Sequence, residues 1–207
     1  MQALEGTGLN EINISLAPVR DNMLIGLTGR NASGKSTLVK WFANKGMKSV
    51  SCSDSIRAWL REQEKEINRD SLIEGGRDLR REGGGGILAE MLLDILDGEN
   101  AVVDSIRTTM EVEKLRSRGD FVLLEVKASE DKRWERLQSR ARPGDPLNRE
   151  LFKKQENKEI NSKDEAGQAL DATALLADMQ IINDGSIQQL NEKLDQIWEK
   201  LLKINNF

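Results

Sequence analysis

The chain has 207 residues, enough for one domain with a real core, and contains no histidine and a single cysteine. The lack of histidine excludes Ser-His-Asp and Cys-His nucleophile systems and His-containing metal sites. A net charge of −4 argues against a general nucleic-acid-binding surface. The lone Cys52 points to a reducing, cytoplasmic setting, and without a long apolar run or signal pattern no membrane association is expected.

Residues 1–22 carry Gly6, Gly8 and Pro18 and keep no sustained period; they read as an N-terminal extension with at most one short strand at residues 12–16. The main domain is expected over residues 23–207. It opens on an apolar run, residues 23–27, followed by Gly29-Arg30-Asn31-Ala32-Ser33-Gly34-Lys35-Ser36 and then an amphipathic segment. This is G-x-x-x-x-G-K-S, a phosphate-binding loop in its strand–loop–helix setting. Glycines let the backbone curl around phosphate oxygens, and the following helix aims unsatisfied N–H groups at the same anion. Gly29, Arg30, Asn31, Ala32, Ser33, Gly34, Lys35, Ser36 and Thr37 are therefore the expected phosphate cradle, with Lys35 on the β and γ phosphates and Ser36 on Mg²⁺. A turn that merely joined strand to helix would not need Lys and Ser at these positions.

Leu38, Trp41 and Phe42 recur at helical spacing, and Gly46 is the expected stop. Residues 47–53 form a weak second strand, and a polar helix follows to about Asn68. Asp70 or Ser71 caps a short helix through about Arg81. Residues 83–86, all glycine, mark a hinge or loop. Ile87, Leu88, Met91, Leu92, Ile95 and Leu96 predict a strongly buried helix ended by Gly98. A short buried strand at residues 101–103 leads to Asp104, and Thr108 with Glu111 predicts a capping box. Residues 121–126 are the clearest strand, and Ser129 opens a helix through Arg140. Arg142-Pro143-Gly144-Asp145-Pro146 breaks it, before a charged helical stretch over residues 148–168. Residues 179–182 are the last strand. Ser186 with Gln189 caps a helix with Ile187, Leu190, Leu194, Ile197 and Leu201 on one face. Alternating strands and helices imply an α/β fold, a parallel sheet covered on both sides. Right-handed crossovers then bring Gly29, Asp54, Asp104, the segment after Ala128 and Asn183 to one rim.

Asp104 ends a buried strand, where a carboxylate holds a Mg²⁺-bound water or simply closes the strand. Arg107, three residues on, suits an anionic acceptor. Asp54 and Arg57 repeat the D-x-x-R spacing; Asp54 serves equally as a helix cap. Arg77, Arg80 and Arg81 line an acceptor pocket or a solvated helix face. Arg133, Arg136, Arg140 and Arg142 form a cationic stripe, fitting either a mobile flap over a transferring phosphoryl group or a solvated helix paired with Glu130, Asp131 and Glu135. Trp59 and Trp134 read as packing residues in preference to base-stacking ones, and Cys52 as a small core or rim residue.

In order, these blocks resemble the nucleoside monophosphate kinase branch of P-loop proteins, nearest to adenylate-kinase-like and deoxynucleotide-kinase-like members. The blocks are the phosphate loop, Ser53-Asp54-Ser55-Ile56-Arg57, Leu79-Arg80-Arg81-Glu82, Val103-Asp104-Ser105-Ile106-Arg107, Glu111-Val112-Glu113, Arg136 to Arg142 with Asp145-Pro146, and Asn183-Asp184-Gly185-Ser186. The resemblance implies a three-layer α/β/α fold on a five-stranded parallel sheet, and ATP with Mg²⁺ as donor. It places an acceptor near Asp54, Arg57, Arg77 and Arg107, within an acceptor region over about residues 54–98. Arg136 and Arg140 look like catalytic lid arginines, in a lid over about residues 136–168, and Asn183 and Gly185 lie where that group seats adenine. Catalytic duties would fall on Lys35, Arg136, Arg140 and Asp104, and the metal on Ser36 and, through water, Asp104. The group's usual Asp-Gly-Ile-Arg appears here as Asp-Ser-Ile-Arg. Dephospho-coenzyme A kinases share the architecture, but their pair of acids after the second strand reads Cys52 and Asp54 here. The expected activity is phosphoryl transfer from ATP to a small (deoxy)nucleoside monophosphate, with no nucleic-acid polymer as partner. The alternatives are hydroxyl phosphorylation of dephospho-coenzyme A with Asp54 as base, or a nucleotide-binding switch module.

Overall fold

Residues 24–28, LIGLT, carry no charge and are buried throughout, the mark of a strand covered on both faces. They form β1 (Leu24–Thr28), joined by β2 (Lys48–Ser51), β3 (Ala101–Asp104), β4 (Phe121–Lys127) and β5 (Met179–Ile182). The computed structural model describes residues 23–141, 145–160 and 169–204, and in it these strands make one five-stranded sheet in the order β2-β3-β1-β4-β5. Every pairing is parallel. The chain therefore steps away from β1 on one side and returns to its other side at β4. That reversal opens a crevice beyond the C-terminal end of β1, the usual place for a ligand in an open parallel sheet.

Alternation along the strands sorts the core into two layers. Leu24, Ala101, Val103 and Leu123 face α2 (Cys52–Glu62), α3 (Arg69–Gly83), α4 (Ile87–Leu96) and α5 (Thr109–Arg116). Ile25, Leu27, Val102, Leu124, Val126 and Ile181 face α1 (Lys35–Asn44) and α9 (Ile187–Ile204). Gly26 fits where Phe121 and Ile106 press against the strand; a Cβ there would clash with both. The remaining helices are α6 (Glu130–Arg140), α7 (Arg149–Ile160) and α8 (Leu170–Leu175). Trp59 packs against the first layer, and Trp134 lies tilted against Phe152, with 5.7 Å between ring centroids and 44° between the ring planes.

Several expectations change. The helix expected to reach Asn68 stops at Glu62, because Glu64 turns into the left-handed region at φ +53°. Asn68 itself, not Asp70 or Ser71, caps α3: its side chain accepts from Ser71 N–H, and the Ser71 hydroxyl accepts from Asn68 N–H. Ile95, in the helix expected to be strongly buried, is 56% exposed, and Ile187, on the apolar face of the last helix, is 60% exposed; the period defines their faces, but neither is covered among the described residues. Helix α8 was not anticipated. The capping boxes at Thr108/Glu111 and Ser186/Gln189 form as expected. The strand expected at residues 12–16, residues 142–144 of the break and residues 161–168 of the charged stretch lie outside the described residues.

Candidate active site

The loop after β1 takes its shape from two glycines. Gly29 sits at φ +130°, where a Cβ would strike the Val126 carbonyl, and Gly34 sits at φ +103°, where one would strike the Asn183 amide. Between them a Ser33 N–H bond to the Arg30 carbonyl at 3.2 Å closes the turn. Helix α1 then begins at Lys35 with no side-chain cap and no acid in its first turn. The N-terminus of α1 and the positive end of its dipole therefore lie at the crevice without a side-chain cap or an acid beside them.

Three cations surround the loop. Lys35 Nζ donates to the carbonyls of Gly29 at 2.6 Å and Arg30 at 3.1 Å. Arg136 donates to the carbonyls of Ala32 at 3.2 Å and Ser33 at 3.1 Å, and to that of Asn183 at 2.6 Å. Asn183 adds its own side-chain bond to the Ser33 carbonyl at 2.8 Å. Arg140 grips Asp145 with two bonds of 2.7 and 2.8 Å and reaches Asn31 at 3.2 Å. The sites on α6 and after β5 thus hold the loop from its side, 100 or more residues away in sequence.

Opposite the loop, β3 ends in Asp104, whose Oδ1 accepts the Ser105 N–H at 2.7 Å. Ser105 lies at φ +66°, in the left-handed region. The next two residues are pinned: Thr28 donates to the Ile106 carbonyl at 3.1 Å, and Arg107 N–H donates to Glu111 at 2.8 Å. Glu111 is wholly buried, and its other oxygen accepts from the buried Arg80 at 2.7 Å. The sequence marks Glu111 as the partner of Thr108 in the capping box and as part of the Glu111-Val112-Glu113 block, but gives it no ion-pair role.

A cavity of about 640 Å³ unites these groups: Gly29, Asn31, Ala32, Gly34, Lys35, Ser36 and Thr37 from the loop, with Asp104, Ser105, Arg107, Arg136, Arg140, Asn183 and Gly185. Leu170 of α8 joins this lining, a contribution with no signal in the sequence. Two loop residues stand apart. Ser33 is fully buried, and Arg30 turns outward to Asp171 of α8 at 3.3 Å, in the wall of a second cavity of about 600 Å³ behind the loop. Asp54 and Arg57 pair with each other at 3.0 Å on the exposed side of α2, outside the first cavity, and Arg77 is exposed on α3. Of the cationic stripe, Arg133 is buried against Glu156, Phe152 and the Ala128 carbonyl, which removes it from any flap. Arg142 lies outside the described residues. Cys52 is buried; burial first, then the Glu111 carboxylate, push its thiol well above the ordinary range. It is not a nucleophile.

Among the described residues no group of three or more His, Cys, Asp or Glu side chains is placed to hold a metal. None of their helices is long and apolar enough to cross a membrane.

No family model matches the chain. Among solved structures, TT1252 from Thermus thermophilus superposes with a TM-score of 0.58 at 21% identity, over 88% of this chain and 99% of that one. Shikimate kinase from Bacteroides thetaiotaomicron superposes at 0.53 and 20% identity, over 86% and 98% of the two chains. At such identities the likeness is one of fold, and the chain has a kinase-like P-loop fold. A UPF0200 protein of Sulfurisphaera tokodaii is 28% identical over 180 residues, spanning 86% of this chain and 97% of that protein. The UPF0200 protein of Staphylothermus marinus is 30% identical over 181 residues, 86% of this chain and 93% of its own length. Kinship of that extent settles the lineage, and the chain belongs to the UPF0200 family.

Proposed function

We propose that the chain transfers the γ-phosphoryl group of ATP to a (deoxy)nucleoside monophosphate. What supports this reading is a single cavity that brings a phosphate-binding loop face to face with Asp104 and Arg107, with Arg136 and Arg140 at its edge. A protein that only held a nucleotide would need the loop but not a second cationic group across from it. The kinase-like fold agrees with this reading.

In this reading the loop N–H groups and Lys35 hold the donor's β and γ phosphates, and Asn183 with Gly185 flanks the base. Arg107 holds the acceptor phosphate in line with the γ-phosphorus. An ionised acceptor oxygen forms the new P–O bond as the bond to the β–γ bridging oxygen breaks, giving ADP and a nucleoside diphosphate. No base is needed, since the attacking oxygen carries no proton. Lys35, Arg136 and Arg140 offset charge spreading over the transferring group, so catalysis is positioning plus electrostatics. Ser36 and Asp104 share the cavity and would hold Mg²⁺, Ser36 through its hydroxyl and Asp104 through a bound water. Bound there, Mg²⁺ supplies further neutralisation of phosphate charge.

The test is ADP release from ATP–Mg²⁺ with a panel of nucleoside and deoxynucleoside monophosphates, dephospho-coenzyme A, and no acceptor. Turnover that rises with a monophosphate supports the proposal. Dependence on dephospho-coenzyme A alone, or slow hydrolysis indifferent to every acceptor, refutes it.

A further inference from the structure

Ser105 sits in the left-handed region at φ +66° in the cavity wall, between Asp104 and Arg107. A Cβ crowds the backbone there, and glycine, which has none, escapes that crowding. Such a conformation persists only where its surroundings over-determine it. Here they do. The Ser105 N–H is taken by Asp104 at 2.7 Å, the Ile106 carbonyl by Thr28 at 3.1 Å, the Arg107 N–H by Glu111 at 2.8 Å, and the Arg107 carbonyl by the Ala169 N–H at 2.9 Å.

This turn has a definite use. It sends Ile106 into the core, where it is 1% exposed, while Asp104 and Arg107 both return to the cavity. Glycine would make the same turn without strain. A hydroxymethyl group is kept instead, and among the described residues its hydroxyl makes no hydrogen bond that would repay the strain. Ser105 is among the residues that line the cavity.

We infer that Ser105 is a specificity-determining residue of the acceptor site: its hydroxyl donates to a phosphate oxygen of the acceptor beside the Arg107 guanidinium. The class of acceptor selected is then a phosphate monoester, whose anionic oxygen is a strong acceptor for that O–H. An acceptor offering a neutral hydroxyl at the same place gains less from it. The inference rests on the kinase reading above and narrows it.

Two variants separate the elements of the idea. Ser105→Ala keeps the strained Cβ and removes the donor; Ser105→Gly removes both. Each is expected to raise KM for the monophosphate that serves the wild type about tenfold, the value of one hydrogen bond to a charged group. KM for ATP stays at its wild-type value. Ser105→Gly should melt above Ser105→Ala by about 2–4 °C, since only the alanine carries the strain. Wild-type acceptor KM in both variants overturns the inference and leaves the kinase reading standing, as does an equal rise in both substrates' KM values. Absence of acceptor-dependent turnover in the wild type itself overturns the kinase reading and this inference with it.

Discussion

The buried pair of Arg80 and Glu111 gives the sharpest test of how the acceptor side is built. The side chains are 6% and 0% exposed and meet at 2.7 Å. Glu111 also accepts the N–H groups of Arg107 at 2.8 Å and Thr108 at 3.2 Å. Glu111→Gln preserves shape and one oxygen that can still take a backbone N–H. Its amide nitrogen then faces the Arg80 guanidinium, donor against donor, and a buried positive charge loses its partner. Breaking a buried pair from one side costs about 3–5 kcal/mol. That is a large share of the roughly 5–15 kcal/mol that holds a domain folded. At about 2–4 °C per kcal/mol for a chain of this size, the melting temperature should fall by roughly 6–20 °C. Arg80→Met leaves Glu111 with its two backbone donors, so its loss should lie at the lower end. The double variant removes the buried charge altogether and should be less harmed than the sum of the two by about 2 kcal/mol or more. Urea unfolding followed by tryptophan fluorescence measures all three. A Glu111→Gln protein within about 1 kcal/mol of wild type, or strictly additive variants, would show that the pair does not hold Arg107 in place.

Lys35→Ala should lower kcat by roughly 10²–10³, the effect of losing one strong electrostatic stabiliser, in the coupled ADP-release assay. Gly34→Ala combines an L side chain at φ +103° with a collision against the Asn183 amide, so nucleotide binding by calorimetry should be lost while the far-UV circular dichroism stays native. Cys52 should resist alkylating reagents near neutral pH in the folded protein and react once urea unfolds it. Because the fold raises its pKa, its contribution to stability is full below the unfolded thiol's value of about 8.5 and is lost as pH rises toward the folded value. Urea midpoints at neutral pH and at high pH should therefore drop further for wild type than for Cys52→Ala.

What the sequence made legible was local. The strand, loop and helix over residues 24–44, the strand at residues 179–182 and the two capping boxes each depend on residues a few places apart. What it hid depends on partners brought together by the sheet. Nothing near Arg80 announces Glu111, 31 residues on, and nothing distinguishes Arg133, locked against Glu156, from Arg136 on the loop. Helix α8 has six residues, too few for a periodic signal, yet it carries Asp171 to Arg30 and Leu170 to the cavity. Ile95 and Ile187 show the limit of periodicity, which assigns a face but cannot say whether anything lies against it.

The three cations around the loop already rest on backbone oxygens or on Asp145. A polyphosphate bound there as proposed would therefore have to win an exchange, oxygen for oxygen, and would not meet bare positive charge. Affinity becomes the difference between two satisfied states, smaller than the attraction of Lys35, Arg136 and Arg140 would suggest if summed in isolation. In return the loop's shape is held by the protein's own side chains.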